Sequence, residues 1–240
     1  MRALFATAVA FCHLWGASAE AVSLRVAPAR LDLVAPDSAA TLTLRNEDAR
    51  PLNVQIRIFR WSQVDGIEHL EPTKDVVASP PFTTLAPSGD YTVRIVRVNK
   101  APVAGEESYR LLIDELPDRT RERSGAISFI LRYSIPVFFV RRDASAPQVA
   151  WSIEPSRNSL LLTAENTGER HLRVADLELA DGGARLAARS GLVGYVLAGA
   201  VMRWSLPRPQ GRAIWGRAVS LSAEGETGAI NATAAIRSER

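Results

Sequence analysis

Once the first 19 residues are set aside, His69 and His171 are the only histidines and no cysteine remains, so a zinc site would have to rest on carboxylates. The two histidines lie far apart in sequence, and the reading of the chain is of two surface histidines and no metal. A serine nucleophile needs a histidine oriented by a carboxylate, yet no G-x-S-x-G pattern is present and the serines are scattered among turns. The carboxylate pairs Glu106-Glu107 and Asp114-Glu115 are adjacent residues, which on a strand point to opposite faces and cannot share one proton. Gly182-Gly183 belongs to neither a phosphate-binding nor a dinucleotide-binding glycine pattern. The sequence therefore points away from an enzyme and calls for no cofactor. Its balance of 29 basic and 26 acidic residues, with short basic clusters and no interleaved aromatics, points away from nucleic acid as well.

The elements that remain are strands. Residues 126–140, AISFILRYSIPVFFV, carry apolar or aromatic side chains at every odd position, and the even positions mix Ser128, Arg132, Ser134 and Pro136 with Ile130 and Phe138. Period-two patterning of this kind predicts a long β-strand with one wholly apolar face. Proline lacks the N–H that a central strand donates, so Pro136 sets this strand at a sheet edge or where the chain changes partners. A long apolar edge templates pairing with another chain, and a protein that carries one either hides it or uses it.

Around that strand the chain reads as many short strands separated by turns. Ser23 to Leu33 is a strand interrupted by Pro28; Ala40–Arg45, Leu52–Trp61 and Tyr91–Val98 alternate cleanly; Asp65-Gly66 is a hairpin turn; Glu107–Leu116 puts Tyr109, Leu111 and Ile113 on one face. Arg141 to Pro147 reads as a linker, and seven further β-like runs follow between Val149 and Ile236. No stretch sustains helical periodicity. The expected fold is all-β: two β-sandwich domains in tandem, residues 20–142 and 148–240.

Residues 1–19 have the layout of a cleaved signal peptide, with Arg2, an apolar run from Ala3 to Trp15 and the small-residue end Ala17-Ser18-Ala19. The apolar run is shorter than the roughly 20 residues a membrane span needs, so no membrane insertion of the mature chain is expected. Cys12 follows Phe11, which does not suit lipidation.

The runs PLNVQIRIFRW followed by Asp65-Gly66, SPPFTTLAPSGDYTVRIVR, ESYRLLIDELP and AISFILRYSIPVFFV, with Arg30 near the mature start, resemble the periplasmic chaperones of the chaperone–usher pathway. The FRW-then-DG and RYSIPVF segments are most similar to the archaic branch, whose subunits are related to spore coat protein U. The resemblance covers about residues 22 to 142 and implies two immunoglobulin-like domains in a boomerang arrangement. It also implies a periplasmic location, pilus or fimbrial subunits and an outer-membrane usher as partners, and an edge strand inserted into the groove of an incomplete subunit.

Carried over by position, the donor side chains fall on Ile127, Phe129 and Leu131, whose burial in a subunit would contribute roughly 5–9 kcal/mol before association costs. The family's carboxylate-anchoring arginine falls on Arg30, and its partner lysine falls on Pro136. Arg132, roughly 13 Å along the strand, and Arg94 are the other cations offered for that anchor. Glu107 with Arg141 or Arg142 is expected to form the family's inter-domain ion pair. The competing reading is a secreted β-sandwich adhesin or structural protein that self-associates through the same edge.

Overall fold

The computed structural model describes residues 24–116, 131–208 and 216–237, and every element in them is a strand. The expected signal peptide and the expected donor positions Ile127 and Phe129 lie outside the described residues.

The chain breaks near Pro28, as its sequence predicts, and the break moves it from one sheet to the other. Strand β1 (Leu24–Ala27) pairs antiparallel with β3 (Ala39–Asn46), and β2 (Leu31–Val34) joins the opposite sheet. The first sheet is completed by β8 (Asp90–Arg97) and β6 (Val76–Ser79), in the order β1-β3-β8-β6. The second sheet is built from β4 (Leu52–Val64), β5 (Ile67–Pro72), β9 (Glu106–Leu116) and β10 (Arg132–Val140), in the order β2-β10-β9-β4-β5, and β7 (Phe82–Leu85) pairs with β4.

Alternation sends Leu42, Leu44, Val93 and Ile95 inward from the first sheet. Val54, Ile56, Tyr109, Leu111, Ile113, Ile135, Val137 and Phe139 meet them from the second, in one buried core. Tyr109 stacks edge-on to Phe139 with ring centres 5.9 Å apart. Asp65 and Gly66 both have positive φ, 54° and 81°, and close a two-residue hairpin that pairs Val64 with Ile67.

The second domain is a single sheet of β11 (Val149–Pro155), β12 (Ser159–Asn166), β13 (Leu172–Asp181), β14 (Ala184–Val196), β15 (Val201–Pro207), β16 (Ala218–Glu224) and β17 (Ala229–Ile236). Its order is β14-β13-β16-β17-β11-β12-β15, and all seven strands place side chains in one buried cluster, so the sheet curls around its own core. β14 begins at Ala184, well before the Leu192 expected from sequence. Its first half carries Leu186 and Ala187 inward among alanines and arginines too weakly alternating to announce a strand.

Each domain contains the same corner. β3 ends at Asn46 and β12 at Asn166, both fully buried. The Asn46 amide donates to the carbonyls of Arg50, Leu85 and Ala86, and its oxygen accepts from the Asp48 N–H. The Asn166 amide donates to Arg170, Val196 and Leu197, and its oxygen accepts from the N–H groups of Gly168 and Gln148. In both, one side chain satisfies carbonyls that a turn would otherwise bury unpaired. The sequence carries the repeat as N-x-x-x-R-x-L, at Asn46–Leu52 and Asn166–Leu172.

Candidate functional site

β10 is covered unequally. β9 pairs with its whole length, Arg132 to Val140, whereas β2 runs parallel along only Val137 to Val140. Among the described residues no strand lies against the other side of Arg132–Pro136. The backbone polarity of that open half follows from three hydrogen bonds. The Leu131 carbonyl accepts from Glu115 N–H at 3.0 Å, and Arg141 N–H donates to the Gly105 carbonyl at 2.7 Å, both on the β9 side. The Val140 carbonyl accepts from Ala35 N–H at 2.9 Å on the β2 side.

Since the pairing with β9 is continuous, odd residues address β9 and even residues address the edge. Arg132 and Ser134 therefore offer N–H and C=O groups to the open edge, and Pro136 offers only a C=O. The missing proline N–H costs no bond to β9, which is why the strand tolerates Pro136 at the point where β2 takes over.

The side chains follow the same parity. Ile135, Val137 and Phe139 fill the first domain's own core, and Tyr133 packs against it with its hydroxyl donating to the Leu24 carbonyl. Leu131, half-buried, continues the same face just before β10.

Extending the β2 register by one residue sets Arg30 against Pro136, at the inner end of the open half-edge. The Arg30 Nε donates to Asp32 at 2.5 Å, and Nη1 pairs with the Glu226 carboxylate, which comes from the β16–β17 turn of the second domain. Arg132 is exposed and pairs with Asp114, as does Arg57 at 2.5 Å. Burial opposes ionisation of Asp114, but the two guanidiniums outweigh it and hold its carboxyl below the usual range. Arg94 lies exposed on β8, between the inward Val93 and Ile95, on the outer face of the other sheet, and is not grouped with Arg30 or Arg132.

The expected pairing of Glu107 with Arg141 or Arg142 is not formed. Glu107 is gripped by Nε and Nη2 of Arg97, each at 2.8 Å, and by the Tyr109 hydroxyl, so that Arg97 from the facing sheet and Tyr109 from its own strand turn it back into its own domain. Arg141 instead pairs with Glu169 of the second domain and with Asp143, and Arg142 donates to the Ala35 carbonyl.

The domains meet on the even face of β10. Phe138 and Val140 join Trp61, Ala144, Tyr195 and Leu197 in a buried cluster distinct from either domain core. The guanidinium of Arg110 lies 3.6 Å from the centre of the Trp61 ring. Gln63 acts like a peptide group across the joint: its amide donates to the Tyr195 carbonyl at 2.8 Å and its oxygen accepts from Leu197 N–H at 2.9 Å.

His171, expected at the surface, is 6% exposed in this joint. Its ring stacks on Phe138 at 3.6 Å and 12°, its Nδ1 lies 2.8 Å from Glu106, and its Nε2 lies 3.0 Å from Glu226. Burial disfavours the imidazolium, yet the two carboxylates outweigh it and push the imidazole up to about 9. It is a buried cation shared between the domains. His69, on the fully exposed β5, is where the sequence reading put it.

Among the described residues no group of three histidine, cysteine or carboxylate side chains is arranged to hold a metal ion, and no helix is long and apolar enough to cross a membrane. What the described residues offer is a half-open β-edge ending at an arginine that pairs with the second domain.

Fold and edge together define a tandem immunoglobulin-like protein with the architecture of the pilus-assembly chaperones. The chain belongs to that family: the family model for the pili and flagellar-assembly chaperone PapD N-terminal domain matches residues 23–142. The solved structure of the CsuC–CsuE chaperone–tip adhesion subunit pre-assembly complex, from the archaic chaperone–usher Csu pili of Acinetobacter baumannii, is similar at 21% identity. It covers 91% of this chain and 100% of its own, with a TM-score of 0.68. The complex of the SafA pilin with the SafB chaperone from Salmonella enterica is similar at 18% identity, covering 89% and 97%, with a TM-score of 0.59. The CupB2 chaperone of Pseudomonas aeruginosa is similar at 21% identity, covering 87% and 97%, with a TM-score of 0.56. No curated protein matches the sequence. The family and the fold are those of assembly chaperones that are not enzymes.

Proposed function

We propose that this protein is an exported periplasmic chaperone of the archaic chaperone–usher branch. It lends the open half of β10 to secreted pilus subunits of the spore coat U-like kind and delivers them to an outer-membrane usher. The observation that carries this reading is the half-covered edge: β2 stops at Leu31, leaving the N–H and C=O groups of Arg132 and Ser134 facing outward. Ile127, Phe129 and Leu131 are the side chains proposed to fill the subunit groove, on the face that Tyr133 and Ile135 continue into the chaperone's own core. The archaic branch rests on the RYSIPVF and FRW-DG segments, together with the likeness to the Csu chaperone complex.

Arg30 is the proposed anchor for a subunit's terminal carboxylate, since a guanidinium can hold a carboxylate through two N–H groups. Its position also favours one direction for the added strand. A guest lying collinear with β2 and running the same way brings its carboxyl end to Arg30, whereas a reversed guest would bring an ammonium group to a guanidinium.

The test is Ser134→Pro, which deletes an edge-facing N–H and leaves the bonds to β9 in place. The purified variant should unfold within about 1 kcal/mol of wild type. A co-expressed subunit should nevertheless no longer be recovered with it from the periplasm. Full recovery of subunit with a folded Ser134→Pro chaperone would overturn the proposal.

A further inference from the structure

The cation at the end of the open edge already has a carboxylate on it. Glu226 reaches across from the second domain, and its Oε1 accepts from both Arg30 Nη1 and His171 Nε2. Asp32 takes the Arg30 Nε. Counting Arg30, His171 and Arg173, whose charge also acts on Glu226, against Asp32, Glu226 and Glu106 balances the cluster, so Arg30 carries no unmatched charge for an incoming anion. Arg30 and Glu226 nonetheless retain 34% and 24% of their side-chain exposure, which keeps the pair within reach of solvent and of a guest.

We propose that Glu226 is a resident stand-in for the guest carboxylate, holding Arg30 in the free chaperone and yielding it when a strand is added to β10. This rests on Arg30 being the subunit anchor. The exchange leaves no charge stranded, because Glu226 keeps His171 Nε2 at 3.0 Å and Arg30 keeps Asp32. A tethered carboxylate competes at high effective concentration, so it excludes free carboxylates and unstructured chain ends. A guest displaces it only by adding ladder hydrogen bonds and apolar side chains along β10. Glu226 thereby makes occupation of the anchor conditional on strand pairing, which is a form of specificity obtained by a built-in rival.

The probe is an acetylated ten-residue peptide of alternating valine and serine, made once with a free C-terminal carboxylate and once amidated, titrated into the full chaperone. Glu226→Gln keeps the side-chain shape and removes the charge. It should bind the carboxylate peptide about tenfold more tightly than wild type and the amidated peptide no differently. The gain should vanish in the double variant Arg30→Ala/Glu226→Gln. An unchanged, weaker or unmeasurable affinity for Glu226→Gln, with Arg30→Ala weaker than wild type, would overturn the stand-in and leave the anchor intact. A gain that persists without Arg30 would overturn the anchor itself. Glu226→Ala, which also removes the acceptor for His171, should give the same gain, and its failure to do so would equally count against the stand-in.

Discussion

The two asparagine corners are nearly the same object used twice. Asn46 and Asn166 each close the end of a strand against the same set of carbonyls, and an arginine and a leucine follow at the same spacing. They differ at all four intervening positions, most sharply at two. Where the first corner has Asp48, the second has Gly168, at which an added Cβ would lie 2.3 Å from the Ala146 carbonyl of the linker. Where the first has Pro51, exposed, the second has His171, buried between the domains. The corner is a folding unit, and both departures in the second copy occur where it touches the rest of the molecule.

The largest expected effect breaks that difference. His171→Ala removes the cation facing the Glu106 carboxylate, whose side chain has no exposure, and should cost about 3–5 kcal/mol. Pro51→Ala should cost less than about 1 kcal/mol. Urea unfolding of the two variants measures the contrast, and equal losses would mean that the joint does not depend on the imidazolium.

The same contrast has a pH signature. The folded imidazole titrates about 9, above its ordinary 6.5, so its contribution is fully present below pH 6.5 and is lost as pH rises through about 9. That contribution is roughly 3 kcal/mol. Stability of wild type should therefore fall between pH 7 and 10 by more than that of His171→Ala.

Asn46→Ala and Asn166→Ala sharpen the likeness. Each strips the donors from buried carbonyls and should cost about 2–4 kcal/mol, to a similar extent in both domains. A loss confined to one variant in calorimetry would show that only one corner bears on stability. At the remaining difference Gly168→Ala sets a Cβ against the linker backbone at Ala146, Pro147 and Gln148 and should cost about 3 kcal/mol, whereas Asp48→Ala, part-exposed, should give the smallest effect, below about 1 kcal/mol.

Much of this was legible beforehand because strand patterning and turn chemistry are local. The odd face of β10 is the first domain's core from Ile135 to Phe139, Asp65-Gly66 closes its hairpin, and Tyr109, Leu111 and Ile113 face inward together. β5 was missed because all six of its residues are exposed, so no apolar rhythm marks it. His171 was misread for a different reason: its burial is made by Phe138, Glu106 and Glu226 arriving from three other segments, and nothing adjacent in sequence announces them. The pairing of Glu107 was misread likewise, since Arg97 is its neighbour only through the packing of two sheets. The asparagine repeat was available in the N-x-x-x-R-x-L spacing and would have flagged His171 as the odd residue in a repeated corner.

Pro136 has a further consequence, best put as one of alignment. An extended chain growing along the edge from Arg132 would pair at Arg132 and Ser134, then meet a position that can accept but cannot donate, and directly beyond it the first residue of β2. Advancing the guest by two residues would drive its end into Leu31, and retreating by two would forfeit a pair of bonds. For the strand addition proposed above, the proline and the abutting strand would thus work as a stop at the end of a track, fixing by geometry alone how far a strand could slide before it is seated.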